Sequence, residues 1–269
     1  MTAVTIVMGV LNVTPDSFSD GGRYDDAEAA VAHGRLLASQ GAGIVDVGGE
    51  STRPGAARVS EAEEMARVIP VVAALAAHGI TCSVDTMRAS VARAAVATGA
   101  RIVNDVSGGL ADPGMLGAVA DLGVDYVAMH WRGHSEVMQQ HTGYTDVVAD
   151  VVAELAARRD AALAAGIAAE RIILDPGIGF AKTSEQNWRL LRGLEALQAM
   201  GHRLLVGVSR KRFLGELLDG RPATDRDAAT AAVTAWCALH GIWAVRTHEV
   251  PAQCDATRVG WRLGARPAG

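Results

Sequence analysis

The unit that decides the fold is clearest in residues 79–99, which read GITCSVDTMRASVARAAVATG. After the opening glycine, the apolar run Ile80–Val84 ends in the polar pair Asp85-Thr86, and an Ala-rich helical pattern follows over residues 88–98. Short apolar runs rich in Val and Ile are typical of strands that are buried on both faces. Gly99 then ends the helical pattern directly before the next apolar run. The stretch therefore predicts one strand–turn–helix unit.

The same unit recurs along the chain. Apolar runs occupy residues 4–10, 44–47, 80–84, 101–103, 126–129, 171–174, 204–208 and 243–245. Helical patterns follow them near residues 25–40, 60–77, 88–98, 113–122, 145–165, 184–200, 226–240 and 251–263. Strands that alternate with helices indicate right-handed parallel βαβ units, and eight such units close into a barrel of about 250 residues.

We therefore predict an α/β fold in which residues 1–269 form a single (β/α)8 TIM barrel domain with eight parallel strands, residues 264–269 being a loose tail. The alternative is a doubly wound open sheet, which usually carries a G-x-G-x-x-G turn after its first strand. In this chain the corresponding turn reads NVTPD over residues 12–16.

Composition excludes several classes of protein. A hydrophobic fraction of 49% and a charged fraction of 20% argue against wholesale disorder, and a net charge of −5 argues against a nucleic-acid-binding surface. The three cysteines are an odd number without C-x-x-C spacing, so neither a disulfide framework nor a cysteine zinc site is expected. The uncharged runs 68–84 and 228–245 are each interrupted by a His-Gly pair, which favours helix, stop and strand over a membrane span. We expect a cytoplasmic protein with no nucleic-acid or membrane partner.

Polar residues follow or end each predicted strand, at the end where barrel enzymes place their active sites. One such residue alone would be a loop residue or a helix N-cap, but eight occupied strand ends indicate one site. These residues are Asn12, Asp46, Asp85-Thr86, Asn104-Asp105, His130, Asp175, Ser209-Arg210-Lys211 and Arg246-Thr247-His248.

The predicted site has two chemical zones. Hydrogen-bond acceptors near the middle strands suit a flat heterocycle that offers several N–H groups, and they are Asp85, Asn104 and Asp175. Basic residues after the last two strands suit an anion such as a phosphate group, and they are Arg210, Lys211, Arg246 and His248. The alternative for Arg246 and His248 is that they pair with carboxylates of the barrel. The long loops 12–22 and 48–56 read as flaps over the mouth, or as plain connecting loops.

Seven stretches of the chain resemble the dihydropteroate synthase family. They lie in the family's order over about residues 6–260, each at a strand end, and they are residues 8–22, 48–55, 83–86, 104–108, 175–182, 209–211 and 245–248. Residues 247 and 249 are Thr and Glu, where the family more often has Val and Asp.

The resemblance implies a reaction in which 6-hydroxymethyl-7,8-dihydropterin diphosphate and 4-aminobenzoate give 7,8-dihydropteroate and pyrophosphate, for folate synthesis. It implies Mg²⁺ as the cofactor, a homodimer, an SN1-like displacement and a sulfonamide-sensitive pocket. Two alternatives remain: a methyltetrahydrofolate-binding methyltransferase barrel, and a non-catalytic pterin-binding paralogue.

The resemblance also implies roles for individual residues. Pterin binding falls to Asp85, Asn104, Met129, Asp175, Phe180, Gly207 and Lys211, of which Asp85, Asp175 and Lys211 are the catalytic residues. Diphosphate binding falls to Asn12, Thr52, Arg246 and His248, with Asn12 also holding the metal. The aminobenzoate pocket falls to Phe18, Arg53, Pro54 and Ser209.

Only two of the 25 basic residues are lysines, Lys182 and Lys211, and both follow strand ends. A compact ammonium on a flexible stem suits a site between pterin and aminobenzoate, which predicts that Lys211 resists replacement by Arg. For Lys182 the sequence leaves a helix-start or loop-packing role and a catalytic role equally open.

Overall fold

A computed structural model of the protein describes residues 5–14, 23–50, 58–134 and 138–264, the side chains of residues 23–26 and 139 excepted. Four residues of the predicted aminobenzoate and diphosphate sites lie outside these ranges, and so do most of the two predicted flaps and residues 265–269 of the predicted tail. The four are Phe18, Thr52, Arg53 and Pro54.

Eight parallel strands form a closed barrel, in which each strand pairs with the next along the chain and the last pairs with the first. The strands are β1 (Ile6–Asn12), β2 (Ile44–Gly48), β3 (Cys82–Asp85), β4 (Ile102–Asp105), β5 (Asp125–Met129), β6 (Ile172–Asp175), β7 (Arg203–Gly207) and β8 (Ala244–Thr247). The predicted (β/α)8 TIM barrel is thereby confirmed.

Helices connect the strands on the outside of the barrel. Those of the described residues are α1 (Arg23–Ser39), α2 (Glu61–Ala77), α3 (Ala89–Ala97), α4 (Met115–Leu122), α5 (Val147–Ala164), α6 (Ser184–Arg192), α7 (Leu194–Gln198), α8 (Arg212–Leu217), α9 (Asp227–Leu239) and α10 (Pro251–Gly264). The helix predicted over 184–200 is divided at Gly193 into α6 and α7. The short helix α8 was not predicted, because its six residues are too few to give a periodic pattern.

Local capping sets where several helices begin. Ser60 accepts a hydrogen bond from the backbone of Glu63 at the start of α2, and Asp146 caps α5 in the same way. Thr183 and Gln186 form a reciprocal capping box at the start of α6. This box fixes the chain directly after the loop that follows β6.

The core has two parts. A large cluster fills the space between the barrel and its helices, and a small cluster fills the barrel itself. The small cluster takes one buried side chain from each of seven strands: Met8, Ile44, Ile102, Val127, Ile173, Leu205 and Ala244. Because this layer packs the inside of the barrel, the barrel is not a pore, and a ligand enters only from the carboxyl ends of the strands.

Candidate active site

The site residues lie two positions beyond the inner core layer on nearly every strand. Since alternate residues of a strand point to the same side, a residue that follows an inner core residue by two also points into the barrel. Asp46 follows Ile44, Asn104 follows Ile102, and Asp175 follows Ile173 in this way. The same step on the other strands reaches Met129, Gly207 and Arg246.

The strand register then brings these residues side by side. Asp85 pairs with Asn104 on one side and with Gly48 on the other. Met129 pairs with Asp175, and Gly207 pairs with Arg246. The predicted pterin residues that lie on strands therefore form one layer at the top of the packed barrel, and Phe180 and Lys211 follow in the loops after β6 and β7.

A cavity of about 700 Å³ opens above this layer, a size typical of small-molecule sites. Its lining includes Asn12, Asp46, Asp85, Phe180, Lys182, Ser209, Lys211, Arg246 and His248. Asn104 and Asp175 are buried against this lining: Asn104 donates to Asp46 at 2.9 Å, and Asp175 lies 3.1 Å from Arg246. Two other strand-end residues have different roles. Asp105 accepts hydrogen bonds from the Ser107 hydroxyl and from Tyr126, and His130 bonds to Lys182 and Glu154.

The floor of the cavity holds acceptor atoms that lack a hydrogen bond. They are Asp46 Oδ1, Asn104 Oδ1 and Asp175 Oδ2, all buried and without a hydrogen-bond partner in the described part of the chain, although Asp175 Oδ2 forms an ion pair with Arg246 Nη1. Burial raises the pKa of Asp46, and burial together with the charge of Asp46 raises the pKa of Asp85 well above its usual range. Buried acceptors without partners are costly, so this floor is built for a ligand that carries several N–H groups.

Arg246 crosses from the basic zone to the acidic floor. Burial lowers the pKa of Arg246. The carboxylates of Asp175, Asp46 and Asp85 raise it by more, so that it lies above its usual value. Gly207 makes room for the guanidinium, because a Cβ at that position would lie 3.1 Å from Arg246 Nη2. The pairing with a barrel carboxylate, left open by the sequence, is the arrangement found for Arg246.

Lys211 is held between the loops that follow β6 and β7. Its Nζ donates to the carbonyl of Ile178 and lies 4.5 Å from the ring centre of Phe180. Its stem packs on Gly179, which has φ +84°, and a Cβ there would lie 2.6 Å from Lys211 Cδ. Burial and the charge of Arg246 lower the pKa of Lys211 to about 7.

The turn after β7 is braced by its neighbours. Arg210 has a left-handed backbone with φ 59°, an uncommon conformation for a residue with a side chain. Its guanidinium forms two hydrogen bonds to Asp227, at 2.9 and 2.8 Å. Ser209 Oγ lies 3.0 Å from His248 Nδ1 and accepts a hydrogen bond from the His248 backbone at 3.1 Å. Arg210 is thus committed to an ion pair, while Ser209 and His248 share one corner of the cavity.

A family model described as pterin binding enzyme matches residues 8–248 of the chain. The chain belongs to this pterin-binding enzyme family. Dihydropteroate synthase of Mycobacterium leprae is 56% identical over 259 residues, which are 94% of this chain and 91% of that protein.

Two solved structures extend the comparison. Xanthomonas albilineans dihydropteroate synthase with 4-aminobenzoic acid has a TM-score of 0.91 and 46% identity, over 98% of this chain and 94% of that one. The Yersinia pestis dihydropteroate synthase with a sulfonamide drug has a TM-score of 0.90 and 40% identity, over 96% and 94% of the two chains.

Side-chain oxygens of Asn12 and Asp85 lie on the two sides of Gly48, and such oxygens are of the type that suits Mg²⁺. Gly48 pairs with Asn12 on one side and Asp85 on the other, and a Cβ on it would lie 3.6 Å from Asp85 Oδ2 and 3.8 Å from Asn12 Oδ1. Oxygen atoms are the ligands that Mg²⁺ prefers, and it commonly takes one or two from the protein and the rest from phosphates and water. Among the described residues no group of three or more His, Cys, Asp or Glu could hold a metal ion, so a bound cation here would share its shell with a ligand.

Sequence analysis placed Asp46 at a strand end of the predicted site without giving it a role, and it missed Asn187 and Glu154. Asp46 orients Asn104, and Asn187 of α6 accepts a hydrogen bond from Gly179 at 2.6 Å. Glu154 of α5 binds both His130 and Arg132. Asp46 had a visible signal, a carboxylate inside an apolar run, whereas nothing in the sequence connects Glu154 with the site.

No helix among the described residues is both long and apolar enough to cross a membrane.

Proposed function

We propose that this pterin-binding enzyme is a dihydropteroate synthase, which joins 6-hydroxymethyl-7,8-dihydropterin diphosphate to 4-aminobenzoate. The observation that carries the proposal is the floor of three buried acceptors without hydrogen-bond partners, Asp46 Oδ1, Asn104 Oδ1 and Asp175 Oδ2. A pterin ring offers a row of ring and amino N–H donors that such a floor can bind. The 56% identity to the Mycobacterium leprae dihydropteroate synthase gives independent support.

The pterin end of the substrate binds at the middle strands. Asp175, Asn104 and Asp85 accept hydrogen bonds from the ring, and Lys211 donates to it. Asp46 accepts from Asn104 Nδ2 at 2.9 Å, so the amide is turned with its oxygen toward the slot. The side of the slot is formed by Met129, Phe180 and the bare backbone of Gly207.

The diphosphate end binds in the basic zone. Arg246 and His248 contact its oxygens, and Thr52 joins them from the second flap. Asn12 would hold Mg²⁺ at this end, and the ion when bound would supply charge neutralisation that makes the diphosphate a better leaving group. Arg210 is not assigned to this end, because its guanidinium is already bound to Asp227.

The aminobenzoate end binds at Ser209 and at residues of the two predicted flaps. Ser209 binds the carboxylate of this substrate, and Phe18, Arg53 and Pro54 complete the pocket. A sulfonamide drug occupies the Yersinia pestis relative, and we expect one to compete with 4-aminobenzoate here.

The chemistry needs no protein nucleophile. The bond between the exocyclic carbon of the pterin and the diphosphate oxygen breaks, and its electron pair leaves with pyrophosphate. The aniline nitrogen forms the new bond to that carbon and releases one proton to solvent. In an SN1-like path the carbon becomes cationic first, and the carboxylates of Asp85 and Asp175 stabilise that charge in a site shielded from water.

The test is pyrophosphate release by the purified protein. The expected result is release that depends on the pterin diphosphate, on 4-aminobenzoate and on Mg²⁺, together with a dihydropteroate product identified by mass spectrometry. Pterin binding without turnover, or methyl transfer from methyltetrahydrofolate to a corrinoid, would overturn the proposal.

We also propose that the enzyme is a cytoplasmic homodimer, as the family resemblance implies. Analytical ultracentrifugation tests the dimer, for which a single species of about twice 27.9 kDa is expected. A concentration-independent monomer would contradict it.

A further inference from the structure

Lys182 is an almost fully buried lysine that the proposed reaction does not use. It is 2% exposed, yet its ammonium has a hydrogen-bond partner for each of its three protons. Nζ donates to His130 Nδ1 at 3.0 Å, to the carbonyl of Gly177 at 3.1 Å and to the carbonyl of Phe180 at 3.0 Å. A buried ammonium is tolerated only when it is fully paired in this way.

These bonds close the loop that follows β6 onto itself. Gly177 and Phe180 stand at the two ends of a turn in which the backbone of Phe180 also donates to the carbonyl of Gly177 at 3.0 Å. Ala181, which comes next, is buried and has φ 49°. A left-handed backbone at Ala persists only where its surroundings enforce it. The bonds from Lys182, which follows Ala181, to the carbonyls of Phe180 and Gly177, which precede it, span this residue.

The same turn holds Lys211. Between the two carbonyls that bind Lys182 stands Ile178, whose carbonyl accepts the hydrogen bond from Lys211 Nζ. The ring of Phe180, next to the second of those carbonyls, lies under the Lys211 ammonium at 4.5 Å. Both groups that fix the position of Lys211 are therefore carried by the turn that Lys182 closes.

We propose that Lys182 is a positioning residue of the active site, which closes the turn Gly177–Phe180 and thereby places Lys211 against the pterin. The expected effect on kcat/KM rests on the proposed function. The expected effect on the position of Lys211 does not. Lys182 does not touch substrate in this role, and its effect reaches the reaction through Lys211.

His130 supports Lys182 from behind. Its Nε2 lies 2.9 Å from Glu154 Oε2, and a carboxylate can only accept, so Nε2 carries the proton and Nδ1 is free to accept from Lys182. Burial and the charge of Lys182 lower the pKa of His130 to about 4, which keeps the ring neutral. Arg132 donates to the same carboxylate of Glu154 at 3.0 Å and lies over Tyr144, so the support extends to the surface.

The two lysines make a direct test possible. With lysine labelled with ¹³C at the ε position, wild-type protein should give two lysine signals, and the variant Lys182→Met should give only that of Lys211. In wild type the Phe180 ring should move the Lys211 ε-proton signal upfield, because the ammonium lies over its face. In Lys182→Met we expect this upfield shift to disappear. A Lys211 signal that keeps its wild-type position in a folded Lys182→Met protein would overturn the proposal, whatever the enzyme's activity.

Kinetics supply the second arm. In the wild-type background we expect Lys182→Met to lower kcat/KM for the pterin diphosphate by about tenfold or more. In the Lys211→Met background the loss should be less than about threefold, because the effects of substitutions at residues that act through one another are not additive. Equal losses in both backgrounds would mean that Lys182 only supports the fold, and would contradict the proposal.

Two further variants keep the test decisive. Arg203→Met removes a 2.8 Å ion pair with Asp125 at the opposite end of the barrel, and it should leave the Lys211 signal and kcat/KM unchanged. If Lys182→Met fails to fold, His130→Leu takes its place, because it removes one of the three partners of Lys182. It should move the Lys211 signal in the same direction by a smaller amount, and an unmoved signal would again overturn the proposal. Wild-type protein without turnover would refute the proposed function. The position of the Lys211 signal would still decide the role of Lys182.

Discussion

Arg246 Nη1 lies 3.1 Å from Asp175 Oδ2 at the floor of the cavity, although neither atom forms a hydrogen bond. The contact is an ion pair without good hydrogen-bond direction, and both atoms are buried. It joins the two zones that the sequence predicted to bind opposite ends of one substrate. In the proposed function the pterin ring takes Asp175 and the diphosphate takes Arg246, so that each partner exchanges the other for a ligand group.

Substitutions in the two zones should have different effects on ligand affinity. Asp175→Ala leaves pterin donors unpaired in a buried slot, at a cost of about 1–3 kcal/mol per group, so affinity for free 6-hydroxymethylpterin should fall by about tenfold or more. His248→Ala should weaken binding of the pterin diphosphate and leave that of the free pterin unchanged. Isothermal titration calorimetry with both ligands measures this, and equal losses of free-pterin affinity in the two variants would show that the zoning is wrong.

Arg246→Met should also distinguish the two ligands. Without its guanidinium, Asp175 no longer has to exchange an ion pair for the pterin, so free pterin should bind at least as tightly as it does to wild type. The diphosphate substrate should bind more weakly because it loses a cation. Removing one partner of a buried ion pair typically costs about 3–5 kcal/mol of stability, so the titration must be done where circular dichroism reports folded protein. A parallel loss for both ligands would contradict this division.

Most of the site could be predicted because a barrel brings the carboxyl ends of all its strands to one face. Residues that end β3, β4 and β6 must meet at one mouth, and Asp85, Asn104 and Asp175 do so. Sequence analysis assigned pterin binding to Asn104 and not to Asp105, but the physical reason appears only in the structure, because neighbouring residues of a strand face opposite sides and both are polar. The register puts Asn104 inward and Asp105 outward. The support of Lys182 was also beyond prediction, since His130, which binds Lys182, and Glu154, which binds His130, come from other elements and meet only through packing.

The outward-facing Asp105 should be structural. It accepts from the Ser107 backbone at 2.8 Å, the Ser107 hydroxyl at 2.6 Å, the Gly109 backbone at 2.7 Å and the Tyr126 hydroxyl at 2.9 Å. Tyr126→Phe removes one of these bonds and should lower the free energy of unfolding by about 1–3 kcal/mol, with kcat/KM unchanged. Urea unfolding and the pyrophosphate assay check both halves. A large loss of turnover in a stable variant would place Asp105 in the reaction after all.

Both lysines should titrate near neutral pH. Burial and the charge of Lys211 lower the pKa of Lys182 from its ordinary 10.5 to about 7, and burial with the charge of Arg246 lowers that of Lys211 equally far. Between about pH 7 and 10 the unfolded chain therefore binds more protons than the folded one, so these groups make the free energy of unfolding rise with pH in that window.

Two measurements check this pH dependence. The ε-¹³C shifts of the two lysines should change with midpoints near pH 7, and Lys182→Met should reduce the rise of stability with pH. Lysine shifts that stay constant until about pH 10, the range of a solvated lysine, would contradict both low pKa values.

Lys211→Arg should lose most activity although it keeps the positive charge. The stem of Lys211 packs on Gly179, and its single nitrogen fits between the carbonyl of Ile178 and the ring of Phe180. A guanidinium is broad, planar and more weakly hydrated than an ammonium, so it must displace either the turn or the pterin. We expect kcat/KM to fall by about 100-fold, equivalent to about 2.7 kcal/mol, with an unchanged melting temperature. Arg258→Lys on the exposed face of α10 is the matched control, since its side chain is 77% exposed and it should retain wild-type turnover. Near-normal turnover of Lys211→Arg would mean that the position requires only a positive charge, and the scarcity of lysine in this chain would then say nothing about the site.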